Sequence, residues 1–225
     1  MNCENQEHAT AIRNNIAMSI AAYEASPEVN QFSSKFDSSL ADEAELTDQE
    51  ALGLELFEGK GRCSGCHVSE GEGDRPPLFT NFAFFNIGVP KNLENPVYKN
   101  NQDFIDGGLG ARLKDSAELQ ARAEEEMGKH KTPTLRNVDK RPGQGFVKAY
   151  MHNGVFKSLK EVVHFYNARD VDPAIAEPEV QENLVRFIGD LGLTDEEEDA
   201  IVAFLRTLSD QGRVLPPQTS SNRSK

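Results

Sequence analysis

A mainly α-helical fold is predicted by three observations. Apolar residues recur at helical spacing in several segments, three capping boxes open such segments, and no stretch sustains the apolar–polar alternation of a strand. At 225 residues the chain suits one large domain, or one domain with an added fragment.

Taken in order, Ile12, Ile16, Ile20 and Tyr23 mark a first helix that ends before Pro27. The segment lacks the basic start and apolar run of a secretory signal. From Pro27 to Glu45 the chain is polar and Ser-rich and reads as a connector. Thr47 with Glu50 three residues later is a capping box, opening a helix to about Glu58 that Gly59 and Gly61 end. A long irregular middle follows from Val68 to Lys131. Its Leu78, Phe79, Phe82, Phe84 and Phe85 are too apolar for a disordered loop and are expected to pack against an apolar surface. Ser158 with Glu161 opens the next helix. Thr194 with Glu197 opens the last, which carries Ile201, Val202, Phe204, Leu205 and Leu208. The tail from Gly212 reads as disordered. The expected division is residues 1–45 as terminal helix and connector, 46–211 as the main domain and 212–225 as tail.

Composition excludes several partners. With 24 Lys and Arg against 37 Asp and Glu, the net charge is −13, which disfavours nucleic acid and anionic membrane surfaces. No apolar run approaches the roughly 20 residues of a helical span. Three cysteines cannot build a disulfide framework.

The chemistry is concentrated in Cys63-Ser64-Gly65-Cys66-His67. Two thiols separated by two residues can form thioethers with both vinyl groups of one porphyrin, and the adjacent His can ligate its iron from below. The string thus implies one covalent haem c in a cytochrome c-like domain with long irregular insertions. A zinc site would need a second Cys pair, and Cys3 is remote. A thiol-redox pair would be expected within a βαβ pattern, which is missing. Gly53 and Phe57 share a helix face, and the last helix offers Phe204 and Leu205, so the two helices are expected to cross closely beside the haem.

The second axial iron ligand is less plain. Candidates are Met151, His152, His164 and Tyr166. On a wheel of 100° per residue from Leu159, Val162, Val163 and Tyr166 fall with Leu159 within about 100°, while His164 lies about 140° away. Tyr166 therefore faces inward and His164 faces water. An ordinary core tyrosine explains the same placement.

LFEGKGRCSGCH, LFTNFAFFNIGVPKN, KTPTLRN, AYMHNG, SLKEVVHFYN and LGLTDEEEDAIVAFLRTL occur in that order. From about Ile12 to Leu208 the chain resembles the C-terminal haem domain of the bacterial dihaem cytochrome c peroxidase/MauG family. The opening helix is similar to the last helix of that family's N-terminal haem domain, so the resemblance implies a C-terminal half whose upstream haem domain is supplied in cis or in trans. Counting from the His of the Y-M-H-N-G string, the peroxidases proper carry a Met ligand where this chain has Tyr166, and the MauG branch carries a ligating Tyr. Tyr166 is thus the implied axial ligand, with Met151 as fallback. The family also places the His of that string, His152 here, and the Arg of T-L-R-N, Arg136 here, near the haem, the Arg being suited to a propionate. The KRPGQGFVKA stretch departs from the family's shorter spacing, which puts in doubt the calcium site relatives build partly from carbonyls of this loop.

Three functions follow. The first is an electron-transfer unit, because the family's C-terminal haem is six-coordinate while its N-terminal haem meets peroxide. The Trp that mediates transfer between domains in the family has no counterpart, since the chain contains no Trp. The second is a self-sufficient cytochrome c peroxidase or MauG-like oxidase. The third is a thiol-redox or metal-binding protein that never receives haem. The resemblance further implies a redox partner such as a small cytochrome c or a cupredoxin, and a periplasmic location, where haem c is attached. The acidic run from Asp195 to Asp199 could steer a basic donor, although such runs are commonly solvated helix starts.

Overall fold

The computed structural model describes residues 3–29, 31–73, 75–141, 143 and 145–211. The tail expected to be disordered lies outside the described residues. The chain forms two compact units, Met1–Ser33 with Asp210–Lys225, and Ser34–Ser209. In the first unit, helix α1 (Cys3–Glu24) carries the expected stripe of Ile12, Ile16, Ile20 and Tyr23, all exposed. The Ser33 amide donates to the Asp210 carboxylate at 2.7 Å.

The second unit is mainly helical, with α2 (Lys35–Leu40), α3 (Asp48–Glu58), α4 (Pro96–Asn100), α5 (Gly108–Lys114), α6 (Leu159–Ala168) and α7 (Asp195–Arg206). Two-residue strands β1 (Phe84–Phe85) and β2 (His130–Lys131) pair antiparallel, Phe84 opposite Lys131 and Phe85 opposite His130. All three expected capping boxes form, at Thr47, Ser158 and Thr194. A fourth, Ser34 with Asp37, opens α2 inside the stretch read as a connector. Its Phe36 is buried and meets the rings of Phe79 at 5.4 Å and Phe204 at 5.6 Å, edge to face. One aromatic plug thus draws part of the connector into the core, and the compact unit begins at Ser34.

The core forms where α3 crosses α7. A Cβ on Gly53 would lie 2.0 Å from the Ala200 carbonyl oxygen and 2.8 Å from Phe204 Cβ, so only glycine permits this approach. Phe57, one turn on, meets Phe204 at 5.2 Å. The Phe-rich middle is only partly absorbed. Phe79 is fully buried and Phe85 half-buried, whereas Leu78, Phe82 and Phe84 are exposed. Positive φ at Phe79 and Phe82, 54° and 57°, breaks any regular alternation of sides.

A polar clamp joins α6 to α7. Glu198, 2% exposed, accepts from His164 Nδ1 at 2.9 Å and Asn167 Nδ2 at 2.7 Å, and Lys160 Nζ lies 3.2 Å away. The second ring nitrogen of His164 contacts Asp172 at 3.1 Å. An imidazole between two carboxylates is best satisfied as the cation, donating from both nitrogens. His164 therefore works as a bridge rather than simply facing water. The acidic start of α7 is solvated at Asp195, Glu196 and Asp199 but not at Glu198. Among the described residues no helix is long and apolar enough to cross a membrane.

Candidate haem site

The end of α3 shapes the motif. A Cβ on Gly61 would lie 2.8 Å from the Leu56 carbonyl oxygen and 3.3 Å from Cys63 Sγ, so a bare backbone brings the chain in close. Arg62 takes a left-handed conformation, φ 55°, and Cys63–Gly65 closes one 3₁₀ turn. The amides of Cys66 and His67 both donate to the Cys63 carbonyl, at 3.2 and 2.9 Å. The motif is thus a single compact turn, and Cys63, Cys66 and His67 all line a cavity of about 570 Å³. Phe57, Val89, Leu135, Leu159, Val163 and Leu205 contribute apolar wall.

His67 Nδ1 lies 2.9 Å from the Phe79 carbonyl oxygen, which can only accept. The ring proton is therefore on Nδ1, and the Nε2 lone pair is free for a metal. Burial pushes the His67 pKa down, against the raising effect of the Phe79 and Pro133 carbonyls, so the ring is neutral. Burial pushes the Cys63 thiol up to about 12 and raises Cys66 as well. Reactive redox cysteines need the opposite, a depressed thiol pKa in an electropositive setting. These thiols are poor candidates for disulfide exchange.

Tyr166, on the inward face of α6, lines the same cavity. Burial raises its hydroxyl pKa strongly, with further upward pressure from Cys63 and Cys66. Two thiols separated by two residues, an imidazole with its outer nitrogen free, and a phenol around an apolar cavity of ligand size are the donor set a covalent haem requires. A bare zinc ion fits less well. Among the described residues, the group of three metal-ligating side chains whose donor atoms all lie within 4.8 Å of one another is a different one, Asp106, His130 and His152.

No family model matches the chain. Over 212 residues it is 34% identical to the methylamine utilization protein MauG of Paracoccus denitrificans (strain Pd 1222), covering 87% of this chain and 51% of that protein. It is 30% identical to the cytochrome-c peroxidase IdrP1 of Denitromonas iodatirespirans, over 84% of this chain and 48% of the relative. Among solved structures, the diheme peroxidase BthA from Burkholderia thailandensis E264 superposes with a TM-score of 0.72 at 33% identity, over 84% of this chain and 49% of BthA. The chain is a homologue of MauG and the dihaem cytochrome c peroxidases. It spans about half the length of the relatives it matches.

The other expected site residues of this homologue are placed as follows. Arg136 lines the cavity, but its Nε donates to the Pro77 carbonyl at 2.8 Å and its Nη1 to Asp37 at 2.7 Å, so it also anchors α2. His152 lines the cavity and stacks on His130, ring centroids 3.7 Å apart and planes within 8°. Met151 lines it too, with φ 67°. His164 is not part of the lining, being held by Glu198 and Asp172. Sequence reasoning missed His130 and Asp106, which share the lining but belong to no haem motif. It also missed Lys148, whose ammonium donates to the carbonyls of Asn137, Val138 and Lys140 at 3.2, 2.7 and 3.0 Å.

Proposed function

We propose that the chain carries one haem c, bound through Cys63 and Cys66 with His67 and Tyr166 as axial ligands, and relays single electrons to a second, peroxide-reducing haem. His67 carries this reading: its Nδ1 is committed to Phe79, which leaves Nε2 free in a cavity that the two thiols and a buried phenol also line. The haem, when bound, supplies a one-electron Fe(III)/Fe(II) couple.

The residues account for the rest. The Cys63–Cys66 turn tethers the macrocycle, and the apolar walls from α3, α6 and α7 exclude water from it. A phenol whose pKa desolvation raises as strongly as that of Tyr166 ionises only beside a strong positive charge, so as a ligand it would favour Fe(III) and lower the reduction potential. If His67 and Tyr166 both held the iron, no coordination position on this chain would be left for peroxide. That supports a relay rather than a self-sufficient peroxidase, with the peroxide-reducing haem held by further sequence or by another chain. A small cytochrome c or a cupredoxin is the proposed redox partner, and the periplasm, where haem c is attached, the proposed location. Calcium is not part of this reading, because the Lys148 ammonium already lies among the loop carbonyls.

The test is the resting spectrum and peroxide turnover of the haem-loaded chain. A low-spin spectrum with negligible oxidation of reduced cytochrome c by hydrogen peroxide is expected. A high-spin resting haem with sustained turnover would instead establish a self-sufficient peroxidase.

A further inference from the structure

The same cavity carries a second donor set that the haem reading does not use. Asp106 from the turn before α5, His130 from β2 and His152 from the turn after Tyr150 bring one carboxylate oxygen and two imidazole nitrogens within 4.8 Å of one another. His152 Nε2 and Asp106 Oδ2 are 3.9 Å apart, too far for a hydrogen bond. The contacts described for the two rings are their mutual stack and this carboxylate, so their nitrogens remain available.

Asp106 itself is held firmly. Its amide donates to Glu179 Oε1 at 2.9 Å, the Tyr98 hydroxyl donates to Glu179 Oε2 at 2.7 Å, and the Gly108 amide donates to Asp106 Oδ1 at 3.0 Å. That support fixes one carboxylate oxygen and leaves Oδ2 toward the histidines, as outer partners do for a metal-binding carboxylate.

We propose that Asp106, His130 and His152 form a binding site for a divalent first-row transition ion such as Zn(II), beside the haem and separate from its ligands. Two imidazoles and one carboxylate suit ions of intermediate softness, whereas Ca(II) and Mg(II) take oxygen donors. The rings are parallel in this conformation, and an ion must lie near the plane of each imidazole that binds it. Capture therefore includes rotation of one ring out of the stack. The bound ion would tie together three segments that line the cavity.

Equilibrium dialysis of the full, haem-loaded chain against zinc chloride, followed by elemental analysis, tests this. Iron per chain reports the haem and zinc per chain reports the new site, so failure of one reading is distinguishable from failure of the other. One zinc per chain is expected, with affinity at least about tenfold weaker in His152→Ala, His130→Ala and Asp106→Asn. Less than about one zinc in ten chains at millimolar zinc overturns the proposal. So does binding unchanged in His152→Ala/Asp106→Asn, or binding lost in His164→Gln, which would place the ion at Glu198 and Asp172. Should a variant fail to fold, zinc-edge X-ray absorption of the unaltered chain decides. Two imidazole nitrogens with oxygen support the site, and oxygen-only or sulfur coordination overturns it.

Discussion

A phenol buried beside two thiols, as Tyr166 is, keeps its proton far above the usual tyrosine range, because a phenolate there would lose its hydration without a cation to replace it. Ferric iron is such a cation. Tyr166→Phe is therefore expected to convert a low-spin haem to high spin and raise its reduction potential by on the order of 100 mV, read by visible spectroscopy and potentiometry. An unchanged spectrum would pass the ligand role to Met151, which lines the same cavity. Arg136 shows the other use of a buried charge. Its pair with Asp37 is almost fully enclosed, side chains 5% and 10% exposed, so Arg136→Met leaves a carboxylate without its partner. A loss of about 3 kcal/mol in denaturant unfolding is expected. At this scale the sequence was most legible where the chemistry is contiguous, as in Cys63 to His67. It named His152 only in connection with the haem and was silent on Asp106 and His130, because residues far apart in the chain carry no spacing that announces their meeting.

Helices α3 and α7 meet at a position where a methyl group has no room. Gly53→Ala places a Cβ against the Ala200 carbonyl, and the helices must separate. A cost of about 2–3 kcal/mol, or a Tm lower by about 5–10 °C, is expected from calorimetry. The α6–α7 clamp is instead sensitive to pH. Hydrogen bonds to Asp172 and Glu198 raise the His164 pKa, so its contribution is fully present below the ordinary histidine value of 6.5 and is lost as pH rises through the raised folded value. Asp172 is lowered, chiefly by the Ala174 amide and then by His164, so its share is lost as pH falls below 3.8 toward the depressed value. The clamp is thus strongest between these limits. His164→Gln should lower Tm most near pH 5 and least above pH 8. The side chain is 44% exposed, so solvent screening keeps the difference under about 1 kcal/mol. A Tm difference that does not vary with pH would contradict the clamp. The capping boxes made helix starts readable in advance, because each is a local pattern. Ser34 with Asp37 escaped notice because the side-chain oxygen there comes from Asp rather than the usual Glu or Gln. Glu198 escaped because an acidic run gives no sign of which member a neighbouring helix will cover.

The molecule as a whole matches half-length stretches of two-haem proteins, which is why the relay reading needs a second haem from elsewhere. Its general class was legible from helical periodicity and the ordered motifs. The sidedness of the irregular middle was not, because left-handed residues such as Phe79 and Phe82 break the alternation by which inward and outward positions are told apart. The relay reading and its self-sufficient peroxidase alternative both rest on covalent haem at one turn of chain. Intact-mass and absorption measurements on denatured chain, produced with a cytochrome c maturation system, test that attachment most directly. One haem per chain that survives denaturation, lost in Cys63→Ala/Cys66→Ala, is the predicted result; a colourless protein with the mass of the polypeptide alone would contradict it.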